Sequence, residues 1–180
     1  MYDQLIETIP EFSEIQNETL RKNAIAVWET ALKEKGWTLE TLKRMPFTIL
    51  IEGVPITFIE HVRVVCQMSA DMCDRMTAMY GDRIKIDRDY VVAGALLADV
   101  GKVWENDEIE PGKFQKSAHG KLLRHPFTGV MLGHRFNIPD EVLHMIATHS
   151  REGDHVKRTA ESIIFHHADF TDFHVVGGGY

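Results

Sequence analysis

Two cysteines in 180 residues leave no room for a disulfide framework. Cys66 and Cys73 lie on one predicted helix, about 10 Å apart at 1.5 Å per residue, too far for a bridge. They also lack the partner cysteines that a zinc site would need. Long apolar runs are missing. The longest nearly unbroken one, Val91 to Ala98, has about eight residues against the roughly 20 that a membrane-spanning helix requires. The opening Met-Tyr-Asp-Gln-Leu-Ile-Glu has neither the basic start nor the apolar stretch of a signal peptide, so a cytoplasmic location is expected. Basic residues are outnumbered, with 20 Lys and Arg against 27 Asp and Glu and a formal net charge of -7. That balance suits neither a membrane surface nor nucleic acid, whose binding relies on phosphate neutralisation. A small anionic substrate stays open, because a bound metal can supply local positive charge. Phosphate-loop and Gly-x-Ser-x-Gly patterns are absent, and Ser69, Ser117, Ser150 and Ser162 have no nucleophile context. Repeats and low-complexity linkers are absent as well.

What is present is helical. A hydrophobic content of 44% with 26% charged residues is ordinary for one globular domain with a sizeable core. Leu20, Ala24, Val27, Trp28, Ala31 and Leu32 recur with a helical period over about 18–35, closed by Gly36. A short helix follows from Thr38 to Met45, stopped by Pro46, and the alternating stretch from Pro46 to Pro55 fits a short extended segment. Thr57 and Glu60 form a capping box opening a long helix to about Tyr80. Asp87 caps the next helix, Tyr90 to Val100, closed by Gly101. The Asn, Asp, Pro and Gly between Trp104 and Gln115 indicate a loop. Helices are expected near 118–135, 139–150 and 155–174. The expected fold class is all-α, divided into an N-terminal helical extension (1–57), a helical domain (58–174) and a flexible tail (175–180). Met68, Met72, Met76 and Met79 fall at helical spacing and suit core packing or the surface of a homo-oligomer.

Five titratable residues sit where an apolar stripe should be unbroken. His61 is followed on its helical face by Val64, Val65, Met68 and Met72. Asp99 follows Ala95 and Leu96 in the most hydrophobic segment of the chain. A buried carboxylate there needs a cation, donors or a metal, and Lys102 could pair with it. His125 precedes Pro126 and the apolar Phe127, Val130 and Met131; His149 follows Leu143 and Ile146; Asp169 follows Phe165 and His166. His144, on the same helix as His149, points elsewhere and is expected to be exposed. Any one of the five could be a satisfied core residue. Five together, on five different helices, indicate a buried site for divalent metal of the Mn, Fe, Zn, Ni or Mg kind. Lys116, His119, Lys121 and Arg124 form a small basic cluster just before His125. It is either a solvated helix start or a set of side chains reaching toward an anionic substrate.

The segments Ile59-Glu-His61-Val-Arg-Val, Leu96-Leu-Ala98-Asp99-Val-Gly-Lys102, Arg124-His125-Pro-Phe, Ile146-Ala-Thr-His149-Ser and His167-Ala-Asp169-Phe resemble, in this order, the motifs of the HD-domain metalloenzyme superfamily. The resemblance covers about two thirds of the chain, from 58 to 174. It implies a helical bundle with one or two divalent ions (Fe, Mn or Zn) in its core. Its ligand set would be His61, Asp99, His125, His149 and Asp169, with Asp99 bridging. Asp99 and Lys102 would be the catalytic groups, and Lys102, His119 and Arg124 would contact a small anionic substrate. The implied chemistry is hydrolysis of a phosphoester or nucleotide-like molecule by metal-activated water. Two alternatives stay open. One is a di-iron oxygenase cleaving a C–C or C–P bond, which some members of the superfamily are. The other is a non-catalytic small-ligand binder.

The chain departs from the family at its namesake pair, where Ala98 stands in place of the first histidine. One ion would lose one of four protein ligands. An alanine variant made to trap a substrate, a natural member relying on the His125/His149 side or recruiting His166 or His167, and a degenerate binder all fit that change.

Overall fold

The computed structural model describes residues 1–51 and 53–177. Its chain starts with α1 (Tyr2–Thr8) and a 3-10 turn over Pro10–Glu14. Helix α2 (Glu18–Lys35) begins where the Asn17 side chain accepts from the amides of Thr19 and Leu20, and it ends where Gly36 turns left-handed at φ 75°. Helix α3 (Leu39–Arg44) is capped by Thr38. Helix α4 (Phe58–Tyr80) opens on the expected capping box of Thr57 and Glu60. Helix α5 (Arg88–Leu97) is capped by Asp87, and every residue from Val91 to Leu97 is buried. Helix α5 is the central element, packed against α4, against α8 (Asp140–Thr148) and against α9 (Ala160–Gly177).

Several expectations are corrected. The helix through Asp99 ends at Leu97, and Ala98–Gly101 form a turn before the short α6 (Lys102–Glu105). The turn brings the backbone of Gly101 against that of His125, so that a Cβ on Gly101 would run into the His125 carbonyl. The expected loop after Trp104 is an antiparallel hairpin, β1 (Asn106–Glu110) and β2 (Lys113–Lys116), bulged between Glu108 and Glu110 and turned at Gly112 with φ 80°. The acidic β1 shows no alternation, whereas β2 alternates exposed and half-buried positions and packs Phe114 edge-on against Trp37. The helix expected from 118 starts only at His125 (α7, His125–His134), because Pro126 is tolerated in a first turn and not in a helix interior. The helix expected from 155 begins at Ala160. Before it, the Arg158 guanidinium holds the chain in a loop by donating to the carbonyls of Thr148 and Ser150. Of the tail expected to be flexible over 175–180, residues 175–177 instead close α9, and residues 178–180 lie outside the described residues. The segment after Pro46 bends, with one bridge from Pro46 to Thr57; within it, Glu52 lies outside the described residues.

The first 57 residues share the core of the rest. Leu5, Ile9, Phe12, Ile15 and Trp28 are fully buried in the same cluster as Phe58, Val62 and Leu96. The Trp28 indole donates to the Leu96 carbonyl at 2.9 Å. The buried Glu11 accepts from Arg63 and Gln67 of α4. Among the described residues no helix is long and apolar enough to cross a membrane. Gly101→Ala is expected to cost about 1–3 kcal/mol by overpacking, read as a lower denaturant midpoint. An unchanged midpoint would mean that the turn does not bear on His125.

Candidate metal centre

Three elements end at the same place in the core. His125 is the first residue of α7, His149 directly follows α8, and Asp99 sits in the turn after α5. His61, in the first turn of α4, and Asp169, within α9, face them from the other side. Asp99 joins the two groups. Its Oδ1 lies 3.2 Å from His125 Nε2 and 3.5 Å from His149 Nε2, and these two nitrogens are 3.1 Å apart. Its Oδ2 lies 3.3 Å from His61 Nε2, which is 3.2 Å from Asp169 Oδ1. All five sequence-derived ligand candidates therefore converge, in two groups of three that share Asp99.

Each imidazole is held from behind through Nδ1. His61 Nδ1 meets Asp172 Oδ2 at 2.6 Å, His125 Nδ1 meets Glu105 Oε2 at 2.6 Å, and His149 Nδ1 meets the Ile146 carbonyl at 2.8 Å. A carbonyl or carboxylate can only accept, so each Nδ1 carries a proton, and loss of any second proton from a ring leaves its lone pair at Nε2. The pattern leaves His125 and His149 with lone pairs facing one another and facing a carboxylate, an arrangement that needs a cation or a proton between them. Three donors each about 2.1 Å from one ion, at angles of 90–110°, are separated by about 3.0–3.4 Å, which matches the 3.1–3.5 Å found here. Carbonyl- or carboxylate-backed imidazoles with carboxylates are an established ligand chemistry for divalent metal. The buried residues present thus fit a divalent ion.

The local electrostatics are those of a cation site. Burial opposes charge on His61, but Asp169, Asp172 and Asp99 together outweigh it and push the imidazole up to about 10. Burial likewise opposes charge on His149, yet Asp99 raises it, whereas desolvation dominates at His125 and lowers it. Asp99 is buried, which alone would favour its neutral form; Lys102 and the surrounding imidazoles hold it well below the usual carboxylate range. Burial also works against charge on Glu105, but His125 and Lys116 bring it down to about 2.

The cluster forms the floor of a cavity of about 450 Å³. Phe47, Ile49, Leu50, Phe170 and Phe173 supply apolar wall, while Lys102, Lys116, Arg124, Arg151 and His166 supply basic groups. Lys102 Nζ donates to Asp99 Oδ2 at 2.8 Å and to the Phe47 carbonyl at 3.3 Å. Arg124 reaches the cavity, donating to Glu152 and Ser150. His119 does not: its Nε2 meets Thr128 Oγ1 at 2.7 Å and its ring stands edge-on to Trp104. His144 is half-buried rather than exposed, with Nε2 enclosed. Sequence reasoning missed Glu105 and Asp172, the carboxylates behind His125 and His61. Asp172 was findable, since it lies one helical turn beyond Asp169 on the same face. Glu105 was not, because its position depends on the turn after α5 and on the hairpin.

The HD domain family model matches residues 58–173. The chain belongs to the HD-domain family. Over 119 residues it is 34% identical to dihydroneopterin 2',3'-cyclic phosphate phosphodiesterase of Methanocaldococcus jannaschii, an alignment covering 63% of this chain and 45% of the relative. The chain therefore spans less than half the length of the curated relative it matches. No solved structure matches it.

The raised His61 carries a sign that can be checked in protein stripped of metal. Its folded-state value of about 10 exceeds the ordinary 6.5, so its contribution to stability is full below about pH 6.5 and is lost as pH rises toward 10. The expected result is a melting temperature that falls over that window, and a smaller fall in Asp172→Asn. Equal falls in both proteins would contradict the pairing.

Proposed function

We propose that this protein is a metal-dependent hydrolase of a small phosphoester, with a phosphodiester bearing a flat ring as the preferred substrate class. The observation carrying the proposal is the convergence of three Nδ1-anchored imidazoles and two carboxylates on the floor of a cavity sized for a nucleotide-like molecule. Membership of the HD-domain family supports it, as does the name of the relative, a phosphodiesterase for a cyclic phosphate. A divalent ion bound there supplies a Lewis acid and a water acidic enough to be hydroxide near neutral pH.

The remaining work falls to side chains of this chain. His125 and His149 hold their lone pairs inward because Glu105 and the Ile146 carbonyl fix their tautomer. Asp99, kept ionised, shares its two oxygens between the two groups of donors. Lys102 offers a fixed ammonium to a phosphoryl oxygen arriving beside Asp99, and Arg124 offers a planar donor set at the rim. Phe47, Phe170 and Phe173 present the aromatic faces on which a ring can lie and from which water is excluded. The donor set suits Mn, Fe or Zn.

The test is phosphodiester hydrolysis by protein reloaded separately with Mn, Fe(II) or Zn, using a 2',3'-cyclic nucleotide and a synthetic aryl phosphodiester. Hydrolysis that stops with a chelator and falls on the order of a thousandfold in Asp99→Ala is expected. Hydrolysis indifferent to chelation would overturn the proposal. So would oxygen consumption by the iron form with no ester cleaved, which would instead support the oxidative alternative. Arg124→Ala is expected to raise KM by about tenfold, the worth of one charge-assisted contact, with a smaller effect on kcat. An unchanged KM would remove Arg124 from substrate binding.

A further inference from the structure

The two groups of donors that share Asp99 are unequal. One offers two imidazole nitrogens and Asp99 Oδ1; the other offers one imidazole nitrogen, Asp169 and Asp99 Oδ2. Ala98, fully buried beside Asp99, adds no donor to either. The oxygens of Asp99 differ as well. Among the described residues Oδ1 pairs with imidazoles alone, whereas Oδ2 is also bonded to Lys102 Nζ at 2.8 Å. That ammonium is fixed on three sides, by Asp99, by the Phe47 carbonyl and by the face of Phe58 at 5.6 Å. A cation using Oδ2 would have to sit beside it.

Charges behind the imidazoles do not restore equality. Asp169 draws a cation to the His61 side, but Asp172 is committed to His61 Nδ1. On the other side Lys116 neutralises Glu105, which is not itself one of the converging donors. Lys102 is the one of these two lysines bonded to a donor atom. Imidazole-rich sets also bind late first-row ions more strongly than carboxylate-rich ones.

We propose that Lys102 is a built-in competitor for metal. The protein binds one divalent ion tightly through Asp99 Oδ1, His125 and His149, and a second ion weakly through His61, Asp99 and Asp169, because the Lys102 ammonium occupies Asp99 Oδ2. This rests on the metal-centre reading above. It deepens that reading by assigning unequal occupancy and naming the residue that sets it. Lys102 is then a positioning residue for metal in addition to any contact with substrate.

The experiment is a titration of chelator-stripped protein with Co²⁺, followed by visible absorbance and by competition with a chromophoric chelator. Circular dichroism verifies that each variant is folded. The wild type is expected to take one equivalent tightly and a second at least a hundredfold more weakly. His149→Ala should lose the tight event. His61→Ala should keep it within threefold and lose the weak one. Lys102→Met should tighten the second event at least tenfold and leave the first within threefold, and Lys102→Gln serves if the methionine variant does not fold. Two events of equal affinity in the wild type, a second event unmoved by loss of Lys102, or loss of the tight event in His61→Ala would each overturn the proposal. A wild type that binds no Co²⁺, Mn²⁺ or Zn²⁺ at all would overturn the metal-centre reading, and this proposal with it.

Discussion

The carboxylate of Asp99 is the constraint on which the rest of the structure depends. It is buried, held ionised, and shared by three imidazoles and one ammonium. An ionised carboxylate in a protein core is tolerated only when every oxygen is answered. Most of the surrounding architecture supplies those answers. The first turn of α4 supplies His61, the start of α7 supplies His125, the end of α8 supplies His149, and the turn after α5 supplies both Asp99 and Lys102. Apart from Asp169, which lies within α9, the cluster is drawn from element ends and turns.

The supporting parts are as informative as the cluster. The α5–α6 turn approaches α7 so closely that only a glycine fits at 101. The hairpin after α6 carries Lys116 to Glu105, which anchors His125. The N-terminal helices fill the back of the bundle through Trp28 and Phe58, whose rings lie 5.9 Å apart. The segment after α3 contributes Phe47, which touches His61 on one side and Phe173 on the other. The first 57 residues thus wall the cavity as well as extend the core, which places part of any substrate selectivity outside the stretch that matches the family.

Much of this was legible in the residues, and the limits have physical causes. Helical period and capping chemistry located α2 and α4 closely, because local sequence determines both signals. The convergence of His61, Asp99, His125, His149 and Asp169 was legible because polar groups on apolar faces are costly unless they meet. The places that failed depend on tertiary contacts. The hairpin's charged strands pair with each other and with Arg44, through Glu108. The start of α7 is the exception, set locally by Pro126, which a helix interior does not tolerate. Glu105 became visible as a support for His125 only once the turn at 98–101 was in place. Arg124 was singled out together with His119, yet one faces the cavity and the other faces Thr128, a difference of orientation that spacing does not encode.

The chemistry of the site depends on whether a divalent ion occupies the space between Asp99, His125 and His149. The most direct measurement is an anomalous-difference map from crystals of the protein grown with Mn²⁺ or Co²⁺ and recorded at the corresponding absorption edge. The prediction is a peak within about 2.3 Å of Asp99 Oδ1, His125 Nε2 and His149 Nε2. A map with no peak there, or with its signal on surface carboxylates alone, would contradict the account.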